Sequence, residues 1–232
     1  MAAEPGWCTV TGEERVEAFR RRWEALGGRA VLAEEGREGV RAAVRRAVES
    51  LLAESAAAGG PASPGPAPVS ADGPDGTPLA VLWDDPELAA LDLAELLERL
   101  GLRAAVWRAQ GSEEAAEAAA RLRGQAARAV LGVTGASWAV AETGTVALSS
   151  DRGSGRLVSL LPPAHLAVVR RSRVVETVGE GFRLLMEEAG RRGGLPSAVH
   201  LISGPSMSAD IEGELTVGVH GPGRVVAVIG EW

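Results

Sequence analysis

Residues 132–145 bring a carboxylate and several hydroxyl groups close to glycines. Glycine permits tight turns and lets a ligand approach the backbone closely, and threonine hydroxyls can donate hydrogen bonds to that ligand. Glu142 could act as a base, as a nucleophile or as an anchor for a ligand hydroxyl. The alternative is a polar strand edge with Glu142 in solvent. The candidate ligand-binding residues of this segment are Thr134, Gly135, Glu142, Thr143, Gly144 and Thr145.

A second segment, residues 203–212, mixes serines, glycine and acidic residues directly after an apolar run. A serine here could cap a short helix, whose free backbone N–H groups attract carboxylate or phosphate. Asp210 and Glu212 would then fall in the first helical turn and complement its dipole, so a purely structural helix is the alternative. The candidate ligand-binding residues of this segment are Ser203, Gly204, Ser206 and Asp210.

The third segment, residues 218–223, places a histidine among glycines and a proline. His220 would be held in a rigid turn, which makes it the best titratable candidate among the three histidines. Gly221 is a ligand-binding candidate beside it, and an ordinary surface turn is the alternative. His165 and His200 lie in strand-like runs, so we predict that both are hydrogen-bonded structural residues.

The composition disfavours several other kinds of site. Cys8 is the only cysteine, so the chain can form no internal disulfide and cannot hold an iron–sulfur cluster with its own cysteines. The histidines lack clustered carboxylates, so we predict no metal site, and the net charge of −7 is a poor match to nucleic acid. Neither a signal peptide nor an apolar run of about 18 residues, as a membrane span requires, is visible. We therefore expect a cytoplasmic protein.

Hydrophobic periodicity predicts a helical N-terminal region followed by an α/β domain. Apolar residues at helical spacing in 13–27 and 37–55 predict a helical hairpin within residues 1–58 that packs on the main body. The Pro/Gly-rich stretch 59–78 is a linker or a long surface loop. Residues 79–232 alternate strands and helices, which indicates a largely parallel or mixed sheet with helices on both faces. The predicted strands are 79–83, 103–107, 129–133, 143–149, 165–170, 198–202 and 224–229, with helices at 86–100, 112–123 and 176–190.

Ligands of open α/β sheets bind beyond the carboxyl ends of the strands. The three segments fall at such places in the predicted order of elements. Whether they meet in one cleft decides between a binding site and separate structural loops. The arginines at 170, 171 and 173 also follow a strand and could attract an anionic ligand or partner.

The order of these motifs resembles the LUD-domain family, and within it the lactate-utilization protein C group. The resemblance covers roughly residues 130–230, and residues 79–129 fit in pattern only. The residues that carry it are Gly132-Val-Thr-Gly-Ala, Ala141-Glu-Thr-Gly-Thr-Val, Arg156-Leu-Val-Ser-Leu-Leu-Pro, His165, Ser203-Gly-Pro-Ser, Ala209-Asp-Ile-Glu and Gly218-Val-His-Gly-Pro.

This resemblance implies a fold similar to the NagB/RpiA/CoA-transferase group and a role in oxidising L-lactate to pyruvate. It also implies iron–sulfur partner proteins that carry the electrons. With a single cysteine, this chain departs from those partners, so we expect it to bind no cofactor itself and to rely on an iron–sulfur cluster or flavin of a partner.

Three functions stay open at this point. The first is a non-iron–sulfur subunit or accessory protein of lactate oxidation that binds a small anionic metabolite. The second is a stand-alone enzyme acting on acyl groups or sugar phosphates through Glu142, which requires that carboxylate to face a deep pocket. The third is a non-catalytic sensor of a small carboxylate.

Overall fold

The computed structural model describes residues 11–57, 76–108, 114–151, 153–209 and 215–232. A central sheet of six parallel strands has the order β1-β12-β7-β4-β2-β3. Its strands are β1 (Arg29–Leu32), β2 (Leu79–Trp83), β3 (Arg103–Trp107), β4 (Leu131–Gly135), β7 (Ala164–Arg170) and β12 (Arg224–Gly230).

The central strands form because their apolar runs are buried on both faces of the sheet. Every residue of β2 and β4 is buried, and β12 is buried from Val225 to its end. Near-continuous apolar runs of this kind are typical of parallel strands that are covered on both sides. The predicted strands at 79–83 and 103–107 are confirmed at the same residues, and those at 165–170 and 224–229 are confirmed within one residue.

A second, four-stranded sheet has the order β8-β5-β6-β9. β5 and β6 form an antiparallel hairpin, β6 also pairs antiparallel with β9, and β5 pairs parallel with β8. The sequence predicted one largely parallel or mixed sheet, but the strands at 145–150 and 198–202 lie in this second sheet, and the central sheet is entirely parallel. The strands are β5 (Trp138–Val140), β6 (Thr145–Ser150), β8 (Val174–Val175) and β9 (Ala198–Ile202), and β10 (Met207–Ala209) and β11 (Leu215–Val217) form a separate antiparallel pair.

Helices cover both faces of the central sheet, as the sequence predicts. A Cβ on Gly230 would touch Val40 in one helix, and a Cβ on Gly132 would touch the Val158 carbonyl in another. The register places Gly132 and Gly230 on opposite faces of the sheet. The helices are α1 (Gly12–Ala25), α2 (Arg37–Ala57), α3 (Pro86–Ala90), α4 (Leu93–Arg99), α5 (Ala115–Arg128), α6 (Leu157–Leu160) and α7 (Val178–Arg192), with a 3₁₀ turn at Arg171–Arg173.

The predicted N-terminal helical hairpin is wrong in one respect, because strand β1 lies between α1 and α2. β1 pairs with β12 at the edge of the central sheet. β1 has only four residues and is only partly buried. Its hydrophobic pattern is therefore too short to be recognised as a strand after Gly27 and Gly28. Phe19 of α1 and Val44 of α2 share one hydrophobic core with the central strands. The predicted linker lies almost entirely in residues 58–75, outside the described ranges.

The predicted helix 86–100 is two helices, because the chain turns at Asp92. Asp85 caps α3, its carboxylate accepting hydrogen bonds from the backbone N–H groups of Glu87 and Leu88. Asp92 then adopts a left-handed conformation with φ +46°. Arg41 of α2 donates to the Asp92 carbonyl oxygen at 3.2 Å and also to the Leu91 carbonyl. These contacts hold the turn between α3 and α4 against α2.

Within the described ranges, the structure contains no helix that combines the length and the apolar character that a membrane span requires.

Candidate functional site

The turn of the β5–β6 hairpin packs against the carboxyl-terminal end of α1. Gly144 has φ +61°, and its N–H donates to the Val140 carbonyl at 3.0 Å. A Cβ on Gly144 would lie 2.6 Å from the backbone nitrogen of Trp23 and 2.7 Å from the backbone carbon of Arg22. Glycine is therefore required here both for its conformation and for the close approach of the two backbones.

Three hydroxyl groups connect the hairpin to the segment that follows β9. The Oγ1 atoms of Thr143 and Thr145 are 2.7 Å apart, and Thr145 Oγ1 is also 2.7 Å from Ser203 Oγ. Thr145 is buried, whereas Thr143 and Ser203 are exposed. The outer two hydroxyls can therefore meet a ligand, and the buried one fixes their separation.

Ser206 connects the same segment to residues 218–222. Its N–H donates to the Pro222 carbonyl at 2.9 Å, and its own carbonyl accepts from the Gly218 N–H at 2.7 Å. Gly204 has φ +91°, and a Cβ there would lie 2.7 Å from the Leu26 carbonyl oxygen at the end of α1. The structure thus brings together residues 142–145, 203–206 and 218–222, which we call the loop cluster.

The third segment of the loop cluster was expected beyond the carboxyl end of a strand, but it does not lie there. Residues 218–223 lead into β12 and therefore lie at its amino end. Gly221 is held close to Ser206, because a Cβ on Gly221 would lie 3.2 Å from the Ser206 Cβ. Ligand sites beyond the carboxyl ends of parallel strands are formed by the loops that follow those strands. Residues 218–223 instead precede the parallel strand β12.

Thr134 and Gly135 do not join the loop cluster. In the register of the central sheet, Gly135 aligns with Val168 and Val228, four residues beyond Arg224 at the start of β12. That separation is about 13 Å along the strands. Thr134 is fully buried, and its Oγ1 is 2.9 Å from His165 Nε2. Neither residue is placed to bind a ligand held by the loops.

The two titratable candidates of the loop cluster are both exposed. Glu142 stands at the hairpin turn with its side chain in solvent, and His220 is likewise exposed. The hypothesis of an enzyme that uses Glu142 required a carboxylate facing a deep pocket, and the exposed position does not meet that requirement. Asp210, the remaining candidate, lies outside the described residues.

The other two histidines differ from each other. His165 is hydrogen-bonded to Thr134, as predicted, and burial lowers its pKa to about 4. His200 was expected to be hydrogen-bonded as well, but its buried Nε2 atom has no hydrogen-bond partner within the described ranges. Burial lowers the pKa of His200, and the positive charge of Arg156 lowers it further. Both imidazoles are therefore neutral at pH 7.

Two of the arginines at the end of β7 pair with carboxylates of the chain itself. Arg170 Nε donates to Glu87 at 2.9 Å, and its guanidinium stacks 4.1 Å from the ring centre of Trp232. Arg173 pairs with Glu188. These contacts fasten α3, α7 and the residues after β12 around the end of β7.

The residues at the carboxyl ends of β2 and β3 were not predicted to form part of a site. Asp84 accepts a hydrogen bond from Arg108 Nε at 2.7 Å, which holds the pKa of the Asp84 carboxyl below its ordinary value. Beside this pair is a depression of about 300 Å³ lined by Leu82, Leu88 and Val106, among others. The signal that could have found it is the pair of aspartates directly after a buried strand. Among the described residues, no three His, Cys, Asp or Glu side chains are placed to hold a metal ion.

Comparison with known proteins finds curated relatives in several bacteria. The chain is 39% identical over 151 residues to lactate utilization protein C of Halalkalibacterium halodurans, an alignment that covers 65% of this chain and 62% of the relative. It is 36% identical over 154 residues to lactate utilization protein C of Shouchella clausii, covering 66% and 63%. The matched region thus spans somewhat less than two thirds of the length of these relatives.

A solved structure and a family model extend the likeness over nearly the whole chain. A DUF162 family protein from Deinococcus radiodurans has a TM-score of 0.55 and 20% identity, covering 95% of this chain and 98% of its own. That likeness concerns the fold alone. The model of the LUD domain matches residues 16–229. Because this match covers the whole second sheet and all but the last residue of the central sheet, the chain belongs to the LUD domain family.

Proposed function

We propose that this chain is a component of L-lactate utilization, in which L-lactate is oxidised to pyruvate. The observation that carries the proposal is its membership of the LUD domain family, together with relatives named lactate utilization protein C at 36–39% identity. In this proposal the chain acts as a non-iron–sulfur subunit or accessory protein that binds a small anionic metabolite.

The loop cluster is the surface that we propose for that metabolite. Support comes from the exposed hydroxyls of Thr143 and Ser203, held by buried Thr145, and from His220 on the adjoining loop. Hydroxyl and imidazole groups can donate hydrogen bonds to a carboxylate without charge of their own. Asp210 stays a predicted member of the site.

Electron transfer would depend on partner proteins. Cys8 is the only cysteine, so the chain cannot supply the cysteine ligands of an iron–sulfur cluster. We therefore propose that this chain binds no redox cofactor and that a partner's iron–sulfur cluster or flavin accepts the electrons of lactate. A single cysteine also suits the reducing cytoplasm, where we propose that the protein acts.

We further propose that the fold is of the NagB/RpiA/CoA-transferase type. Support comes from the parallel central sheet with helices on both faces and from the mixed second sheet beside it. The exposed position of Glu142 gives no support to a covalent acyl intermediate of the kind that a glutamate forms in some acyl-transferring enzymes.

The test is growth on L-lactate as the sole carbon source. A strain that lacks this chain should fail to grow, and the parent sequence should restore growth. Ser203→Ala should restore it poorly, because that change removes a hydroxyl of the loop cluster, whereas Glu142→Gln should restore it fully. Purification of the tagged chain from lactate-grown cells should also recover cysteine-rich iron–sulfur proteins.

Two outcomes would count against the proposal. If the deletion strain oxidised lactate at the parental rate, the chain would have no part in that process. If Glu142→Gln failed to restore growth while folding normally, the enzyme that uses Glu142 would become the better hypothesis.

A further inference from the structure

The depression of about 300 Å³ lies where β2 and β3 end and where α3 and α4 begin. In open parallel sheets, ligands bind beyond the carboxyl ends of the strands, next to the point where successive connections leave in opposite directions. In the central sheet that point lies between β2 and β4, because β2 is followed by β3 on one side and β4 by β7 on the other. Asp85, which lines the depression, reaches the end of β4, since a Cβ on Gly135 would lie 3.1 Å from Asp85 Oδ2. The depression therefore lies beside a position that commonly binds ligands in parallel sheets.

The inner wall of the depression is apolar. Leu82 on β2 and Leu88 on α3 are buried, whereas Val106 on β3 is 37% exposed although the sheet register sets it beside Leu82. Apolar surface in a concave place is released from water when the apolar part of a ligand covers it. These three side chains are therefore the part of the depression that suits an alkyl or aryl group.

The charged side chains of the depression leave one negative charge unmatched. Its described lining residues include four carboxylates and one guanidinium. Three of the carboxylates form ion pairs, which are Asp84–Arg108, Asp92–Arg37 and Glu95–Arg99. The fourth, Asp85, has no ion pair in the part of the chain that the structure describes. Each arginine offsets one carboxylate, so the charge of Asp85 is the one in excess.

The two carboxylate oxygens of Asp85 have different surroundings. Oδ1 accepts hydrogen bonds from the backbone N–H groups of Glu87 at 2.7 Å and Leu88 at 3.2 Å, which hold the carboxylate in place. Oδ2 accepts no hydrogen bond from the described residues. Asp85 is also half-buried, and the attraction between opposite charges is stronger away from bulk water. Oδ2 is therefore a fixed acceptor for a positively charged donor.

We propose that this depression binds a small monocation with an apolar body, such as an alkylammonium ion. The ammonium group donates to Asp85 Oδ2, and the alkyl chain lies against Leu82, Leu88 and Val106. A volume of about 300 Å³ is at the lower end for ligand pockets and suits a ligand of this size. The unmatched negative charge disfavours carboxylates and phosphates. This site is thus separate from the loop cluster and does not depend on the proposed function.

The test uses four probes that separate charge from apolar contact. n-Butylammonium has both features, methylammonium has only the charge, n-butanol has only the alkyl chain, and butyrate has the opposite charge. Each probe is titrated into the purified chain at pH 7 while ¹H–¹⁵N spectra follow the backbone N–H signals of Glu87 and Leu88, because these groups donate to Asp85. n-Butylammonium should shift both signals saturably, and added salt should weaken its binding. Methylammonium and n-butanol should bind at least about tenfold more weakly, and butyrate should cause no saturable shift.

Asp85→Asn removes the charge and keeps the cap of α3, because asparagine caps a helix about as well as aspartate does. It should weaken the binding of n-butylammonium about 10–100-fold, the range expected when a hydrogen bond between charged groups is lost. The affinity for n-butanol should stay unchanged in this variant. Val106→Thr keeps the shape of the side chain and adds a hydroxyl group, so it should weaken the binding of both probes.

Glu117→Gln is the matched control, because Glu117 is an exposed glutamate on α5 that does not line the depression. It removes the same charge and should leave binding unchanged, and thermal melting of each variant checks the fold. Absence of saturable shifts with n-butylammonium would overturn the inference, as would equal affinities for n-butylammonium and n-butanol. Equal losses in Asp85→Asn and Glu117→Gln would also overturn it, because the net charge of the chain and not Asp85 would then attract the cation. None of these outcomes bears on growth on L-lactate, so the proposed function is tested separately.

Discussion

Gly144→Ala is the substitution that most directly tests the packing of the loop cluster on α1. Two separate penalties apply to it. The backbone of Gly144 has φ +61°, a conformation that costs an L-residue about 1–2 kcal/mol. The new Cβ would also lie 2.6 Å from the Trp23 backbone nitrogen, so the hairpin turn and α1 must move apart. Overpacking of this kind costs about 1–3 kcal/mol, which brings the expected loss of stability to about 2–5 kcal/mol.

Gly101→Ala separates these two penalties. Gly101 has φ +81°, but no atom lies within 4 Å of its would-be Cβ. Only the conformational cost applies there, so the variant should lose about 1–2 kcal/mol. The difference between the two variants measures the contact of the hairpin turn with α1.

Urea unfolding of the parent and both variants measures these losses, and thermal melting gives an independent check. For a chain of this size, each kcal/mol lowers Tm by about 2–4 °C. Gly144→Ala should therefore melt at least about 4 °C below the parent and clearly below Gly101→Ala. Equal losses in the two variants would show that the hairpin turn does not touch α1 in solution, and the loop cluster would lose its support.

Two further predictions concern stability. Burial lowers the pKa of His165 from its ordinary value of 6.5 to about 4. The contribution of the neutral imidazole to the free energy of unfolding is therefore complete above pH 6.5 and is lost as the pH falls toward 4. Between pH 7 and pH 4, the free energy of unfolding of the parent, measured with urea, should fall by about 3 kcal/mol more than that of His165→Gln. Equal losses in the two proteins would contradict the buried neutral imidazole. Asp92 has φ +46°, so Asp92→Ala should be about 1 kcal/mol less stable than Asp92→Gly, although both remove the ion pair with Arg37. Equal melting temperatures for that pair would contradict the left-handed turn.

Local patterns in the sequence predicted much of the fold because they report on burial and capping. The apolar run Leu79–Trp83 is a buried strand in the structure, and Asp85 with Pro86 begins the next helix. Gly101 ends the helical region before β3. Each of these features depends on residues within a few positions of one another, and such short-range preferences are visible in a sequence.

Longer-range features escaped sequence reasoning. Strand β1 has only four residues, and what makes it a strand is its pairing with β12, almost two hundred positions away in the chain. The break at Asp92 likewise depends on Arg37 and Arg41, which approach from α2. Neither a short strand nor a helix break leaves a periodic pattern when its cause lies elsewhere in the sequence.

For the site, the sequence by itself determined which residue types are present and which chemistry they exclude. One cysteine rules out an iron–sulfur cluster held by this chain's own cysteines, and the glycines and hydroxyl residues of three segments mark places where the backbone turns tightly. Only the tertiary structure decided which of them meet. It joined Thr145 to Ser203, buried Thr134 against His165 and exposed Glu142. The physical reason is that strand register and sheet packing, which depend on contacts between distant parts of the chain, fix where each side chain points.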